Sequence, residues 1–246
     1  MPKPRPVTRL PTIASPTIAE VLAEFLADQK ARVAARTFAQ YGAAVGLLQD
    51  CLNGYAHQSL DAAERVFFDR HYNAEGDAHR GFCEVFGPDH ILPNVGEFLG
   101  YFMVRKVMAG KDVMRAAGIV TKKLAVWLAE RDYVSNAAAQ DGHARGAAAA
   151  RDLPKASSLA SALALFAEDQ PRGLPDDDDE IEDHFTITRV EARAVWLDGM
   201  DGEVVGPIAL PERLARECRV GWTIAGTVAK VRGRWRLVEA WNVYPG

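Results

Sequence analysis

Apolar side chains recur at helical spacing through the first half of the chain and alternate at strand spacing through its last quarter. Ile18, Val21, Leu22 and Phe25 form one apolar face, and Thr17 with Glu20 fits a capping box ahead of it, hydroxyl and carboxylate each satisfying a free backbone N–H. Thr37 with Gln40 repeats the signal before Phe38, Tyr41, Val45, Leu48 and Leu52, and Asn53-Gly54 supplies a stop. Ser59 can cap a third helix bearing Leu60, Ala63, Val66 and Phe67, with Asp61 and Glu64 complementing the dipole in its first turn. Pro93 suits the first turn of a fourth, carrying Val95, Phe98, Leu99, Phe102 and Val107 as far as Gly110. Val113, Ala117, Val120, Leu124, Trp127 and Leu128 predict a long fifth helix over about 111–132. Five amphipathic helices on short connections predict a helical bundle over residues 16–136.

Residues 137–182 shift to Ala, Gly, Asp and Pro and read as a linker with one docking helix, opened by Asp152-Leu-Pro154 and sided by Leu159, Leu163 and Phe166. The linker ends in the acidic run Asp176-Asp177-Asp178-Asp179-Glu180, where like charges repel and resist burial, so the run is expected to be exposed. It lacks the spaced ligands and glycine turn of a calcium loop. Residues 183–246 then give strands over 184–189, 194–197, 203–210, 220–231 and 235–244, with turns at Met200-Asp-Gly202 and Arg232-Gly233-Arg234 and a helical turn over 211–217. That pattern looks like a small closed barrel of OB or SH3-like type, the two not being separable at this level. The expected fold class is α+β as two separate domains: an N-terminal all-α helical bundle and a C-terminal small five-stranded β-barrel.

The net charge of −4 changes meaning once it is divided along the chain. Residues 1–155 hold 19 Lys and Arg against 17 Asp and Glu, residues 156–182 hold 1 against 8, and residues 183–246 hold 9 against 8. The acidity belongs to the joint, and both domains are mildly basic, short of the clear excess of a dedicated nucleic-acid binder. Cys51, Cys83 and Cys218 are widely spaced without a CxxC, which suggests neither a disulfide framework nor a zinc ribbon, and a reducing cytoplasm is the simplest setting. Residues 1–15 read as a disordered basic tail with no apolar region after it, and no stretch approaches the ~20 apolar residues of a membrane span.

Two stretches carry a family resemblance. Thr17-Ile-Ala-Glu-Val-Leu-Ala-Glu-Phe-Leu26 with Arg36-Thr37 and Tyr41 is similar to the opening helices of the core-binding, SAM-like domain of tyrosine recombinases and phage integrases. Lys122-Lys123-Leu124-Ala-Val-Trp127-Leu128, ending Asp132-Tyr133-Val134-Ser135-Asn136, resembles that family's last helix and its exit. The segment from Ser59 to Pro93 is longer than the family needs, and Ala137 stands where its exit proline is usual. The 112 residues after Val134 leave no room for the recombinases' catalytic domain, with its His-x-x-Arg box and tyrosine nucleophile; His143-Ala-Arg145 has the wrong spacing. The resemblance therefore implies only the binding role and would place Arg36, Arg115, Lys122 and Lys123 near phosphates, the alternative being ordinary solvated helix faces.

In the strand-rich end, Lys230, Arg232, Arg234 and Arg236 cluster at one hairpin tip, which suits either a phosphate probe or a solvated turn whose charges discourage edge pairing. Trp196, Trp222, Trp235 and Trp241 are expected to fill the small core, base stacking being the alternative. No Walker loop, dinucleotide fingerprint, Gly-x-Ser-x-Gly elbow or His-Glu-x-x-His is present. Asp69, His71, His79, Cys83, Asp89 and His90 crowd one segment, and His79 with Cys83 has the spacing to share a helix face, but no tight chelating pair is present and no metal is expected. The expected function is a non-catalytic DNA-associated binding protein with no cofactor and no membrane contact. The alternative is a protein-interaction or scaffolding adapter, whose partner is another protein.

Overall fold

The computed structural model describes residues 11–107, 110–170 and 180–246. Most of the expected basic tail and Asp176 to Asp179 of the acidic run lie outside the described residues. The chain divides into two compact units, each discontinuous in sequence: residues up to Phe98 with Val120–Gly146, and Leu99–Ile119 with Ala147–Gly246.

In the first unit, α1 (Ile18–Lys30) starts on the expected capping box, Glu20 N–H donating to Thr17 Oγ1 at 3.3 Å and Thr17 N–H to Glu20 Oε2 at 2.8 Å. α2 (Ala35–Tyr55) begins ahead of Thr37, with Ala34 at its cap and no side-chain cap bond, while Tyr41, Val45, Leu48 and Leu52 are buried as their spacing requires. α3 (Ala62–Tyr72) is capped by Asp61 rather than Ser59: Asp61 Oδ1 accepts from the Ala63 and Glu64 N–H groups, each at 2.8 Å. A carboxylate adds its charge to the favourable end of the helix dipole, which a hydroxyl cannot. Ser59 Oγ instead donates to Ala56 O at 2.8 Å.

The segment after α3, to which the pattern assigns no role, builds the core. Around α4 (Phe82–Val85), the side chains of Phe82, Cys83, Val85, Phe86 and Ile91 are buried, and Phe68 and Phe86 pack on Phe82 with ring centroids 5.7 and 4.6 Å away. Ala14 N–H donates to Val85 O and Ile18 N–H to Phe86 O, each at 2.9 Å, so Ala14 is tied down where a disordered tail was expected. The continuous helix expected from Pro93 is broken into a 3-10 turn at Leu92–Asn94, α5 (Val95–Glu97), a π-helical stretch at Phe98–Phe102 and α6 (Met103–Arg105). Gly96 and Gly100 weaken regular helix there.

α7 (Lys111–Glu130) is clasped to α1. Trp127 Nε1 donates to Asp28 Oδ2 at 2.9 Å, and Arg131 pairs with Glu24 and Asp28 while its guanidinium lies 4.6 Å from the Trp127 ring centroid. The indole hydrogen bond and the Arg131 charge hold the Asp28 carboxyl below its ordinary pKa.

Where composition predicts a linker, residues 136–168 form a single helix, α8 (Asn136–Glu168), opened by the Ser135 hydroxyl, which accepts from Ala138 N–H at 3.2 Å. Alanine is the strongest helix former, so an alanine-rich run needs only one buried stripe to stay helical. Leu153, Ala156, Leu159 and Leu163 supply it, and Pro154 is carried in the helix interior, its O accepting from Ser158 Oγ at 2.7 Å.

The second unit is built on β1 (Glu180–Glu191), β2 (Ala194–Asp198), β3 (Val204–Ala209), β4 (Thr223–Val231) and β5 (Arg234–Tyr244), with α9 (Glu212–Glu217) between β3 and β4. All pairings are antiparallel and the order is β3-β2-β1-β4-β5. Phe185, Ile187, Val195, Leu197, Val205, Ile208, Trp222, Ile224, Val228, Leu237 and Val243 form its core, joined by Ala156, Leu159, Leu163 and Ala167 of α8.

The sheet is not closed into a barrel. β3 and β5 approach each other as its two edges, without a ladder between them. Pro207 in β3 has no N–H to give to such a ladder. β5 also carries two extra residues against β4: Asn242 and Ala240 face Ala225 and Gly226, and Glu239 and Leu237 face Thr227 and Val228. Each bulge breaks the alternation and turns its extra residue outward, so Val238 is 39% exposed and Trp241 43%. Trp241 is thus not a core residue, contrary to its spacing. Among the described residues no helix is long and apolar enough to cross a membrane.

Candidate nucleic-acid interface

The β4–β5 hairpin closes on the pair Val231 and Arg234, with Arg232 and Gly233 as a two-residue turn at φ 52° and 73°. Positive φ at both central positions is what matches a tight hairpin to the twist of its strands. From that turn the register sorts the basic residues. Lys230 lies opposite Trp235, its Nζ 5.7 Å from the ring centroid, while Arg236 lies opposite Ala229 and shares the other side of the ribbon with Arg234. The hairpin therefore brings all four cations to one tip but divides them between two faces.

Arg234 and Arg236 line a cleft at the seam between the two edge strands. Its other walls are Phe166, Gln170, Ala194, Gly206, Pro207, Ala209, Gly233, Trp235 and Leu237, and its volume is about 530 Å3. Among the described residues no carboxylate lines it. Trp235 is half-buried, resting on the core of the unit. Three of the four tryptophans in this region carry a cation over the ring: Arg189 over Trp196 at 4.4 Å, Arg219 over Trp222 at 5.4 Å, and Lys230 over Trp235. No sequence motif marks Arg189 or Arg219: Arg189 meets its indole across the β1–β2 ladder, and Arg219 reaches Trp222 from three residues away in the segment before β4.

The helical candidates are spread over two helices. Arg36 is exposed in the first turn of α2, Lys122 is half-buried on α7, and Lys123 is exposed with its Nζ 5.2 Å from the Tyr41 ring centroid. These three belong to the first unit, and Arg115, though exposed on the same helix α7, belongs to the second.

His79 and Cys83 do not share a helix face. Cys83 sits in the core on α4, its N–H donating to Asn53 Oδ1 at 2.9 Å, whereas His79 precedes that helix, exposed, with Nδ1 2.6 Å from Tyr72 O. Among the described residues no group of three His, Cys, Asp or Glu side chains is placed to hold a metal ion. Burial pushes the thiols of Cys51 and Cys83 up to about 12 and that of Cys218 up to about 11. A thiol reagent at pH 8 is expected to find almost no reactive cysteine in the folded protein and three after denaturation; fast reaction in the folded state would contradict this burial. Since folding raises these pKa values above the ordinary 9.0, the associated stability is intact below about pH 9 and is lost as pH rises towards 11 to 12.

Compared with protein-family models, curated proteins and solved structures, the chain matches none of them.

Proposed function

We propose that the chain is a non-catalytic DNA-associated binding protein, whose helical unit serves as the DNA-binding half of a tyrosine recombinase does, without that family's catalytic domain. The observation that carries this reading is the cationic hairpin tip of Lys230, Arg232, Arg234 and Arg236, two of whose arginines line a cleft with no carboxylate among its described residues. Cations held at fixed spacing displace condensed counterions from a phosphate backbone, and affinity gained that way falls with salt. The exposed Lys123 and Arg36 add a second contact area on the helical unit.

At low ionic strength the full chain is expected to retard DNA in a gel. Replacing Lys122, Lys123, Arg232 and Arg234 together with glutamine should weaken retention and flatten the slope of log affinity against log salt by about 3 to 4. Absence of any shift at low salt would end this reading. The exposed apolar face of Trp241 and Val238 on β5 favours the second one, a protein-interaction adapter. Co-purification of a partner whose retention does not change with salt would support the adapter instead.

A further inference from the structure

Independently of the nucleic-acid and adapter readings, we propose that the cleft between α6, α8 and the C-terminal half of β5 binds a small organic anion with an apolar body, of the class of medium-chain carboxylates. The anionic group meets Arg105 at the rim, and the chain lies along the alanines of α8. Every residue lining this cleft belongs to the second unit. Its volume of about 450 Å3 falls within the range of pockets that enclose small molecules, roughly 300 to 1,000 Å3.

The lining is apolar where the body of such a guest would rest. Met114, Leu153, Ala156 and Val243 are buried, and the half-buried Ala160 and Ala164 are too short to fill the space beside them. A sugar or nucleotide would bring more polar groups than this lining can pair. Ser157, Ser161 and Asn242 supply its neutral oxygen and amide groups, and Ser161 Oγ already donates to Ser157 O at 3.1 Å. Trp241 gives the rim an apolar ring, because its Nε1 is engaged by Glu239 Oε2 at 3.2 Å and Glu239 is not part of the lining.

Arg105 is the charged residue of the lining, and among the described residues no carboxylate shares the cleft with it. Met108 and Ala109, which follow Val107 in sequence, add no charge. The groups that raise the pKa of the Arg105 guanidinium are Tyr244, foremost, and Tyr101, not a carboxylate. Phenols are uncharged at neutral pH and do not cancel a cation. A cation beside apolar walls attracts an anion more strongly than it would in open water, and a guanidinium suits a carboxylate through two parallel N–H···O bonds. Charge and lining together therefore select an amphiphilic anion over a metal ion, a bare phosphate or a neutral hydrocarbon.

The test titrates the full chain calorimetrically with three probes of equal chain length: octanoate, octan-1-ol and octylammonium. Octanoate is expected to bind about tenfold more tightly than the alcohol, and octylammonium more weakly than either. Arg105→Gln, at an exposed side chain, should lower octanoate affinity about tenfold and leave the alcohol unchanged. Ala164→Leu, which narrows the cleft without touching its charge and keeps a good helix former in α8, should weaken octanoate and octanol alike. Absence of octanoate binding, equal affinity for octanoate and octylammonium, or octanoate affinity untouched by Arg105→Gln would overturn the proposal. Loss on Arg105→Gln with no change on Ala164→Leu would overturn it too, by placing the anion on Arg105 outside the cleft.

Discussion

Gly226→Ala is expected to destabilise the sheet unit by about 3 kcal/mol and lower its unfolding temperature by about 10 °C. A Cβ built on Gly226 would lie 2.2 Å from the carbonyl oxygen of Glu239, with the carbonyl carbon and the Cα of Ala240 at 3.1 and 3.2 Å. All three atoms are backbone, so no side chain can swing aside. Relief requires β4 and β5 to part at the point where the bulges already interrupt their ladder. The contrasting substitution is Gly46→Ala in α2, where a Cβ meets nothing within 4 Å and alanine is the better helix former, so its effect should be neutral or slightly stabilising. Thermal unfolding followed by circular dichroism separates the two. A Gly226→Ala protein melting within a degree or two of its parent would mean that β5 does not approach β4 as described.

The second large effect concerns the strands taken alone. A fragment of residues 183–246, which the strand pattern marks off as a barrel, is expected not to fold cooperatively. It lacks Ala156, Leu159, Leu163 and Ala167, which complete its core from α8, and it lacks Glu180 to Glu182, which pair with Thr227 to Ala229. Burying each leucine contributes about 2 kcal/mol, and a domain of about 60 residues is marginal even with its core intact. Denaturant titration of the fragment should show a shallow, non-cooperative transition. A sharp transition with well-dispersed amide signals would show that α8 is dispensable to the sheet.

Much of this fold is legible in the sequence because it rests on local chemistry. The capping box at Thr17 and Glu20 and the stripe from Tyr41 to Leu52 need only near neighbours, and both form as their spacing requires. The Arg232-Gly233 turn is of the same kind. What escapes a linear reading depends on distant partners. The stretch from Asn136 to Glu168 looks like a linker because its alanines, glycines and Pro154 are weighed as composition, whereas its helix is stabilised by a stripe that becomes apolar surface worth burying only beside Phe185 and Leu237. The bulges at Val238 and Trp241 leave no mark, since strand alternation is read assuming one residue for one. Among the candidate site residues, the four cations of the hairpin are found by their crowding, but the cleft that Arg234 and Arg236 border arises from β3 lying near β5, and only Pro207 hints that the seam stays open.

The interleaving of the two units along the chain also constrains the order in which they are completed during synthesis. The first unit awaits Val120–Gly146, which the ribosome delivers only after Leu99–Ile119, a stretch belonging to the second. That stretch in turn belongs to a unit that is not complete until β5 has emerged to pair with β4. Apolar residues of Leu99–Ile119, such as Met103 and Met114, are therefore synthesised well ahead of the strands of their own unit, an interval in which a nascent chain is exposed to misassembly.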